Sequence, residues 1–447
     1  MVASSPVFTE IIYGEPLAMA RRLKGERALT LFESAQRHEH LGRYSFLAVN
    51  PRHSLVVREG QAFVDGKAKP DKPFDLLRKF LSKTPRKILP GLPPFQGGWA
   101  GYISYDHGRH LEPKAKIPAF PPICPDMVFH LYETVIAIDH LQERAWIIGA
   151  KRQEISGLEK LLSQRQHPLG STVHATFKSV ITPATHEANV ARTVEYILAG
   201  DIFQANITQV FEARAPEDFD AFAAYATLRE KNPAPFAALI DDEEVKIVSS
   251  SPERLIRYDG KLAEARPIKG TRKRDNDVEK DASLMADLQA SRKDRAENVM
   301  IVDLLRNDLS IVCQPGTVEV PTLCGLETYA NVHHLVSVVQ GKLHEGVSAV
   351  DLVQAVFPGG SITGAPKLRA MEIIAELEAA PRGVYCGAMG YFGFNGTCDF
   401  NIAIRTLQVA NGMMRVQGGG GITARSEPHA EYEESLLKVQ RILDAFT

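Results

Sequence analysis

Lys269 is the residue of this 447-residue chain best suited to covalent chemistry. It lies in Arg266-Pro267-Ile268-Lys269-Gly270-Thr271-Arg272, where a regular strand would put Lys269 and Thr271 on one face. A lysine attacks carbon only as the free amine, so its pKa must fall from about 10.4. Arg266, Arg272, Lys273 and Arg274 are close enough in sequence to lower it by like-charge repulsion, and partial burial acts the same way. Composition alone would make this run a basic hairpin end facing water.

Two carboxylate pairs repeat one spacing. Asp294 and Glu297 share a face of the helical run 294–305, and Glu431 and Glu434 open a helix running to Phe446. Such pairs suit Mg²⁺, a hard cation that takes oxygen ligands and keeps some waters. They equally suit solvated acidic first turns, which the helix dipole favours. Gly418-Gly419-Gly420-Gly421 follows a strand over 414–416, and its backbone N–H groups can approach an anion closely. Arg405 alternates with apolar residues and has the fork geometry for a carboxylate.

The elements that must hold these groups read as strands and helices in irregular alternation. Runs 28–32, 44–49 and 54–58 are β-rich, 74–81 is helical, and a Pro-rich stretch covers 85–94. Residues 127–139 and 144–148 read as two paired strands, and 153–165 as a helix. After a polar segment at 167–185, helical periodicity resumes over 186–200 with Gly200 as C-cap. Asp259-Gly260 predicts a two-residue hairpin turn. That turn would put Glu253 on the face opposite Lys269, unless Pro252 breaks the ladder or a bulge shifts it. A further helix is expected at 367–378. Hairpins mixed with long helices predict an α+β fold with antiparallel sheets.

Composition sets the outer bounds. Lys+Arg 52 against Asp+Glu 54 leaves no footprint for nucleic acid or an anionic membrane surface. Five scattered cysteines form no CxxC pair, against a disulfide framework or zinc site. The first fifteen residues lack a signal peptide's pattern and no long apolar run spans a bilayer, so a cytoplasmic protein is expected.

Taken together, the motifs resemble those of chorismate-using enzymes. The run at 266–272 resembles their Pro-Ile-x-Gly-Thr signature, in which aminodeoxychorismate synthases typically carry lysine at x and anthranilate synthases alanine. The resemblance extends from Gln204 to Lys438 and is strongest with component I of aminodeoxychorismate synthase. It implies two large antiparallel β-sheets flanked by helices in one compact unit. Residues 1–166 would form a region like the N-terminal part of anthranilate synthase component I, and 175–447 the chorismate-binding catalytic part. It further implies that Lys269 adds to ring C2, the C4 hydroxyl departs, and ammonia adds at C4. Glu253, in Ser249-Ser250-Ser251-Pro252-Glu253, matches the general acid/base, and His334 the histidine near the leaving hydroxyl. Thr271, Ser361, Tyr385, Arg405, Gly419, Gly420, Gly421 and Lys438 match substrate contacts. Glu297 and Glu434 match direct Mg²⁺ ligands, with Glu431 and Asp294 beside them; Asp294 replaces the usual glutamate and Ser361 the usual threonine.

Gln204 stands where water-using relatives carry a lysine base. Glutamine cannot deprotonate water, which favours ammonia as the nucleophile. No Gly-x-Cys-x-Gly elbow is present, so ammonia is expected from a separate glutamine amidotransferase subunit or from solution. Residues 31–34 and 42–46 resemble the tryptophan-pocket segments of anthranilate synthases, which makes tryptophan a candidate ligand and anthranilate formation the alternative activity. A non-catalytic sensor of chorismate or tryptophan would have lost a reacting residue, yet Glu253, Lys269, Glu297, His334 and Glu434 are all present.

Overall fold

The computed structural model describes residues 6–36, 41–83, 87–328 and 332–446. The first five residues of the segment searched for a leader, Pro85 and Arg86 of the Pro-rich stretch, and Asn331 beside the histidine pair lie outside the described residues.

The β-rich runs assemble into two antiparallel sheets of twelve strands each, so nearly every apolar strand finds neighbours on both edges. At the centre of the first sheet, Leu29–Glu33, Phe236–Asp241, Lys246–Ser251, Thr406–Ala410, Met413–Ile422 and Gln204–Arg214 lie side by side in that order. In the second sheet the corresponding run is Ile268–Lys273, Val332–Gly341, Ala263–Ala265, Arg254–Tyr258, Cys398–Ile402, Ala388–Gly393 and Gly98–Ile103. The inner faces meet where Tyr102 and Val128 of the second sheet pack with Ala238, Ile240 and Ile247 of the first. Helices cover the outer faces. Arg292–Ser310 and Ala349–Val356 bury Ile301, Leu305 and Val353 against the second sheet. Ala221–Lys231 and Pro428–Leu443 bury Phe222 and Val439 against the first. The expected α+β arrangement of two large sheets flanked by helices is therefore the one observed.

The chain crosses between the sheets at three places that matter for the site. The expected strand over 127–139 is two strands: Met127–Tyr132 pairs in the second sheet and Thr134–Asp139 in the first. Both faces of this run are otherwise buried, and the break falls at its half-buried polar pair, Glu133-Thr134. Lys246–Ser251 of the first sheet passes through Pro252-Glu253 into Arg254–Tyr258 of the second. Cys398–Ile402 returns through 403–405 into Thr406–Ala410. Strands from 1–166 and from 175–447 sit side by side in both sheets.

All five cysteines are free thiols. Among the described residues no helix is long and apolar enough to cross a membrane.

Candidate active site

Glu253 sits at a crossover because proline ends the preceding ladder. The two crossings lie against each other: Ile402 N donates to the Glu253 carbonyl at 3.0 Å, and Ser250 N to the Arg405 carbonyl at 3.0 Å. The Glu253 carboxyl is buried, and Ser361 Oγ, on the 3₁₀ turn Gly360–Ile362, donates to its Oε1 at 3.1 Å. Burial pushes its pKa up to about 7, against the opposing pull of Lys269 and Ser361. A carboxyl poised there can give or take a proton at neutral pH.

The predicted two-residue turn is wrong. Arg257 pairs with Glu264 and Tyr258 with Ala263, leaving a four-residue loop at 259–262. The Asp259 carboxylate accepts from the amides of Lys261 and Leu262, both at 2.8 Å, so its side chain closes the wider loop. Both routes considered for re-aiming Glu253 are present. Pro252-Glu253 lies outside the ladder, and the register against Cys398–Ile402 shifts between Arg254 and Ile256.

Lys269 lies on Ile268–Lys273, registered with Leu335, while Thr271 is registered with His334. Gly270 is the extra residue of this bulge, with φ +81 and its α-carbon packed so that a Cβ would fall 2.9 Å from Asp294 and Leu288. The bulge breaks the alternation that was expected to put Lys269 and Thr271 on one face. Thr271 Oγ1 instead hydrogen-bonds His334 Nδ1 at 2.8 Å. Burial holds the His334 pKa below the usual histidine value, despite a hydrogen bond with the Gly270 backbone that opposes the shift. His333, on the next position, turns to Asp281 at 2.8 Å.

Three of the four basic neighbours expected to repel Lys269 are paired elsewhere. Arg266 binds Glu327, Arg272 binds Asp287 at 2.6 Å, and Arg274 binds Asp281 at 3.2 Å. Lys269 instead faces Glu253, Glu297 and Glu434, and its ammonium favours the ionised form of all three.

Glu297 and Glu434 come from different helices, Arg292–Ser310 and Pro428–Leu443. Burial raises the Glu297 pKa, and the carboxylates of Asp294 and Glu434 add to the rise while Lys269 and Lys293 oppose it. For Glu434 burial acts upward too, but the Lys438 ammonium at 2.7 Å, with Lys293 and Lys269, outweighs it and leaves the pKa low. Asp294 leans on Arg272 at 3.5 Å, and Glu431 accepts from Ser426 Oγ at 2.6 Å. Among the described residues no three of His, Cys, Asp and Glu group closely enough to hold a metal by themselves. The mutual repulsion of Glu297 and Glu434 is nevertheless what a divalent cation would relieve, and oxygen donors suit a hard ion that keeps its waters. Lys293 was not singled out from the sequence; its position four residues before Glu297 was the available signal.

The anion-binding elements converge on the same strands. Arg405 takes a left-handed φ of +54 at its crossover. Burial depresses its pKa, and the nearby cation Arg441 adds to the fall. No carboxylate among the described residues pairs with it, so its fork is open to an anion. The Gln204 carboxamide is buried with neither Nε2 nor Oε1 hydrogen-bonded. It lies beside Gly421, where a Cβ would come 2.7 Å from Nε2. The glycines do not follow the strand as expected but form part of it, Met413–Ile422, laddered along Gln204–Arg214. Their smallness serves packing rather than a turn. A Cβ on Gly419 would lie 2.1 Å from the Ile207 carbonyl, and one on Gly420 would lie 2.9 Å from Glu431. Lys438 Nζ donates to the Gly419 carbonyl at 2.9 Å, joining the glycine strand to the acidic helix.

Residues 27–444 match the sequence profile of chorismate binding enzymes. The chain belongs to this family. Aminodeoxychorismate synthase component 1 of Escherichia coli is 41% identical over 78% of this chain and 77% of its own length. Anthranilate synthase component 1 of Mycobacterium tuberculosis is 39% identical over 96% of this chain and 90% of its own. The crystal structure of anthranilate synthase component I from Streptococcus pneumoniae superposes with a TM-score of 0.80 at 30% identity, covering 97% of this chain and 99% of that one.

This chorismate-utilising enzyme has a cavity of about 420 Å³ that Lys269 does not line. Phe32, Ser34, Arg43 and Tyr44 from the N-terminal segments line it, facing Arg254 and Arg266. These two arginines are one and three residues from Glu253 and Lys269.

Proposed function

We propose that this enzyme is component I of an aminodeoxychorismate synthase, converting chorismate and ammonia to 4-amino-4-deoxychorismate and water. The observation that carries the reading is Lys269 held among Glu253, Glu297 and Glu434, with Ser361 on Glu253. Arg405, Tyr385, Gln204, Thr271 and the Gly419–Gly421 backbone bind and orient the substrate, with Lys438 on a carboxylate. Lys269, once its proton has passed to a carboxylate, attacks ring C2 through Nζ. The ring double bonds shift and the C4–O bond breaks. Glu253, near its pKa, gives the departing hydroxyl its proton so that it leaves as water, with His334 assigned to the same hydroxyl. Ammonia adds at C4, the double bonds shift back, the C2–N bond breaks, and Lys269 regains its starting state. Glu297 and Glu434 would hold Mg²⁺ directly, with Glu431 and Asp294 beside them. When bound, the ion supplies positive charge that neutralises a substrate carboxylate.

Ammonia comes from a glutamine amidotransferase subunit, and tryptophan is the ligand assigned to the 420 Å³ cavity. That cavity is also what favours the second reading, anthranilate synthase component I. Product identity separates the two. Purified chain is incubated with chorismate, Mg²⁺ and ammonium salt, and the product is analysed by chromatography and mass. A C4-amino product that yields p-aminobenzoate only after a lyase is added is the expected outcome; fluorescent anthranilate without a lyase would sink the proposal. A sensor would bind chorismate without consuming it.

A further inference from the structure

Arg382 belongs to none of the motifs above, yet it is one of the largest fully buried side chains of the molecule. Its Nε donates to Glu378 Oε2 at 2.9 Å and its Nη2 to Glu378 Oε1 at 2.6 Å. The same guanidinium reaches the Ile362 carbonyl through Nη1 at 3.1 Å and the Asn206 carbonyl through Nη2 at 2.6 Å. Its flat face covers the Tyr105 ring, 4.5 Å from the centroid. Glu378 in turn accepts from the amide and hydroxyl of Thr208, both at 2.9 Å. The Arg382 carbonyl accepts from Gln417 Nε2 at 2.7 Å.

Three of these contacts end close in sequence to a group assigned to the substrate, and so does Arg382 itself. Ile362 follows Ser361, Asn206 lies two after Gln204, Gln417 precedes the glycine run, and Tyr385 comes three residues after Arg382 itself. A planar guanidinium donates at fixed angles, and a buried one has no water to exchange with. The segments it binds therefore cannot shift independently.

We propose that Arg382, braced by Glu378, is the positioning residue of the site, locking the Ser361 turn, the Gln204 strand and the glycine strand into one frame and so holding the Ser361 hydroxyl on Glu253. The inference rests on the assignment of Glu253 as acid/base. Besides Ser361, the groups facing Glu253 are Lys269 and Cys386, and neither touches Arg382 through a hydrogen bond.

The test is the pH dependence of turnover for the whole chain with chorismate, Mg²⁺ and ammonium, in wild type, Ser361→Ala, Arg382→Lys and the double variant. Ser361→Ala should move the Glu253 limb up by roughly one pH unit, the weight of one hydrogen bond to a carboxylate. Arg382→Lys should move it equally, the double variant no further, and KM for chorismate should rise about tenfold. A merely structural arginine would lower the folded fraction and leave limb and KM in place, which overturns the proposal. If Arg382→Lys does not fold, Glu378→Gln, which keeps the guanidinium and loosens its brace, is read by the same criterion. Amide exchange gives an independent readout: faster exchange at 358–366 than at 134–139 supports the frame, and a uniform change overturns it. Failure of the underlying assignment shows separately, as full turnover in Glu253→Gln, and amide exchange then decides alone.

Discussion

The proton of Glu253 is where residue-scale chemistry can be tested without assigning a product. Its folded pKa, about 7, lies above the ordinary 4.5, so the fold favours the protonated carboxyl. The associated stability is fully present below pH 4.5 and is lost as pH rises through about 7. Glu253→Gln, which cannot ionise, should therefore gain on wild type over that interval, by about 3 kcal/mol at its upper end, in denaturant titrations at several pH values. The same substitution should cost turnover about 10²- to 10⁴-fold. Arg405→Lys should raise KM for chorismate more than it lowers kcat, because its open fork serves binding. The identities of these groups were legible in the sequence, but their electrostatic settings were not. Arg266, Arg272 and Arg274 each pair with a carboxylate outside their own cluster, partners that their clustering in the sequence does not show.

At the scale of elements, amphipathic helices were legible, and so were the apolar strands Leu29–Glu33 and Tyr44–Ala48, whereas the half-exposed strand Val7–Ile11 was not. The helix Lys367–Glu378 falls on the predicted residues, and Pro183–Leu198 encloses most of its predicted span. Legibility failed where a run breaks between sheets or where backbone spacing decides. The break at Glu133, the four-residue loop at 259–262 and the bulge at Gly270 leave no period in the sequence. The glycine run failed for a related reason, since four glycines in a row read as a turn until a helix is seen packed on them. A paired prediction follows from this contrast. Gly419→Ala should destabilise by ~1–3 kcal/mol, because its methyl meets backbone that cannot move aside. Gly157→Ala, on a helix with nothing near the new methyl, should stabilise by about 0.5–1 kcal/mol. Thermal or denaturant unfolding of the two variants checks both signs.

At the scale of the whole molecule the two sheets are shared property of the chain's two parts. Leu29–Glu33 pairs with Phe236–Asp241 in one sheet and Gly98–Ile103 with Ala388–Gly393 in the other. Residues 175–447 produced alone would expose both of those edges, and should aggregate or bind a hydrophobic dye where the full chain does not. The crossings at Pro252-Glu253 and 403–405 carry a further consequence, for time rather than space. Glu253 and Arg405 take their places only when strands of both sheets are threaded past one another, so neither sheet forming alone assembles the site. During recovery from denaturant, far-ultraviolet dichroism should return first, and chorismate turnover only in the last and slowest step, when the sheets dock.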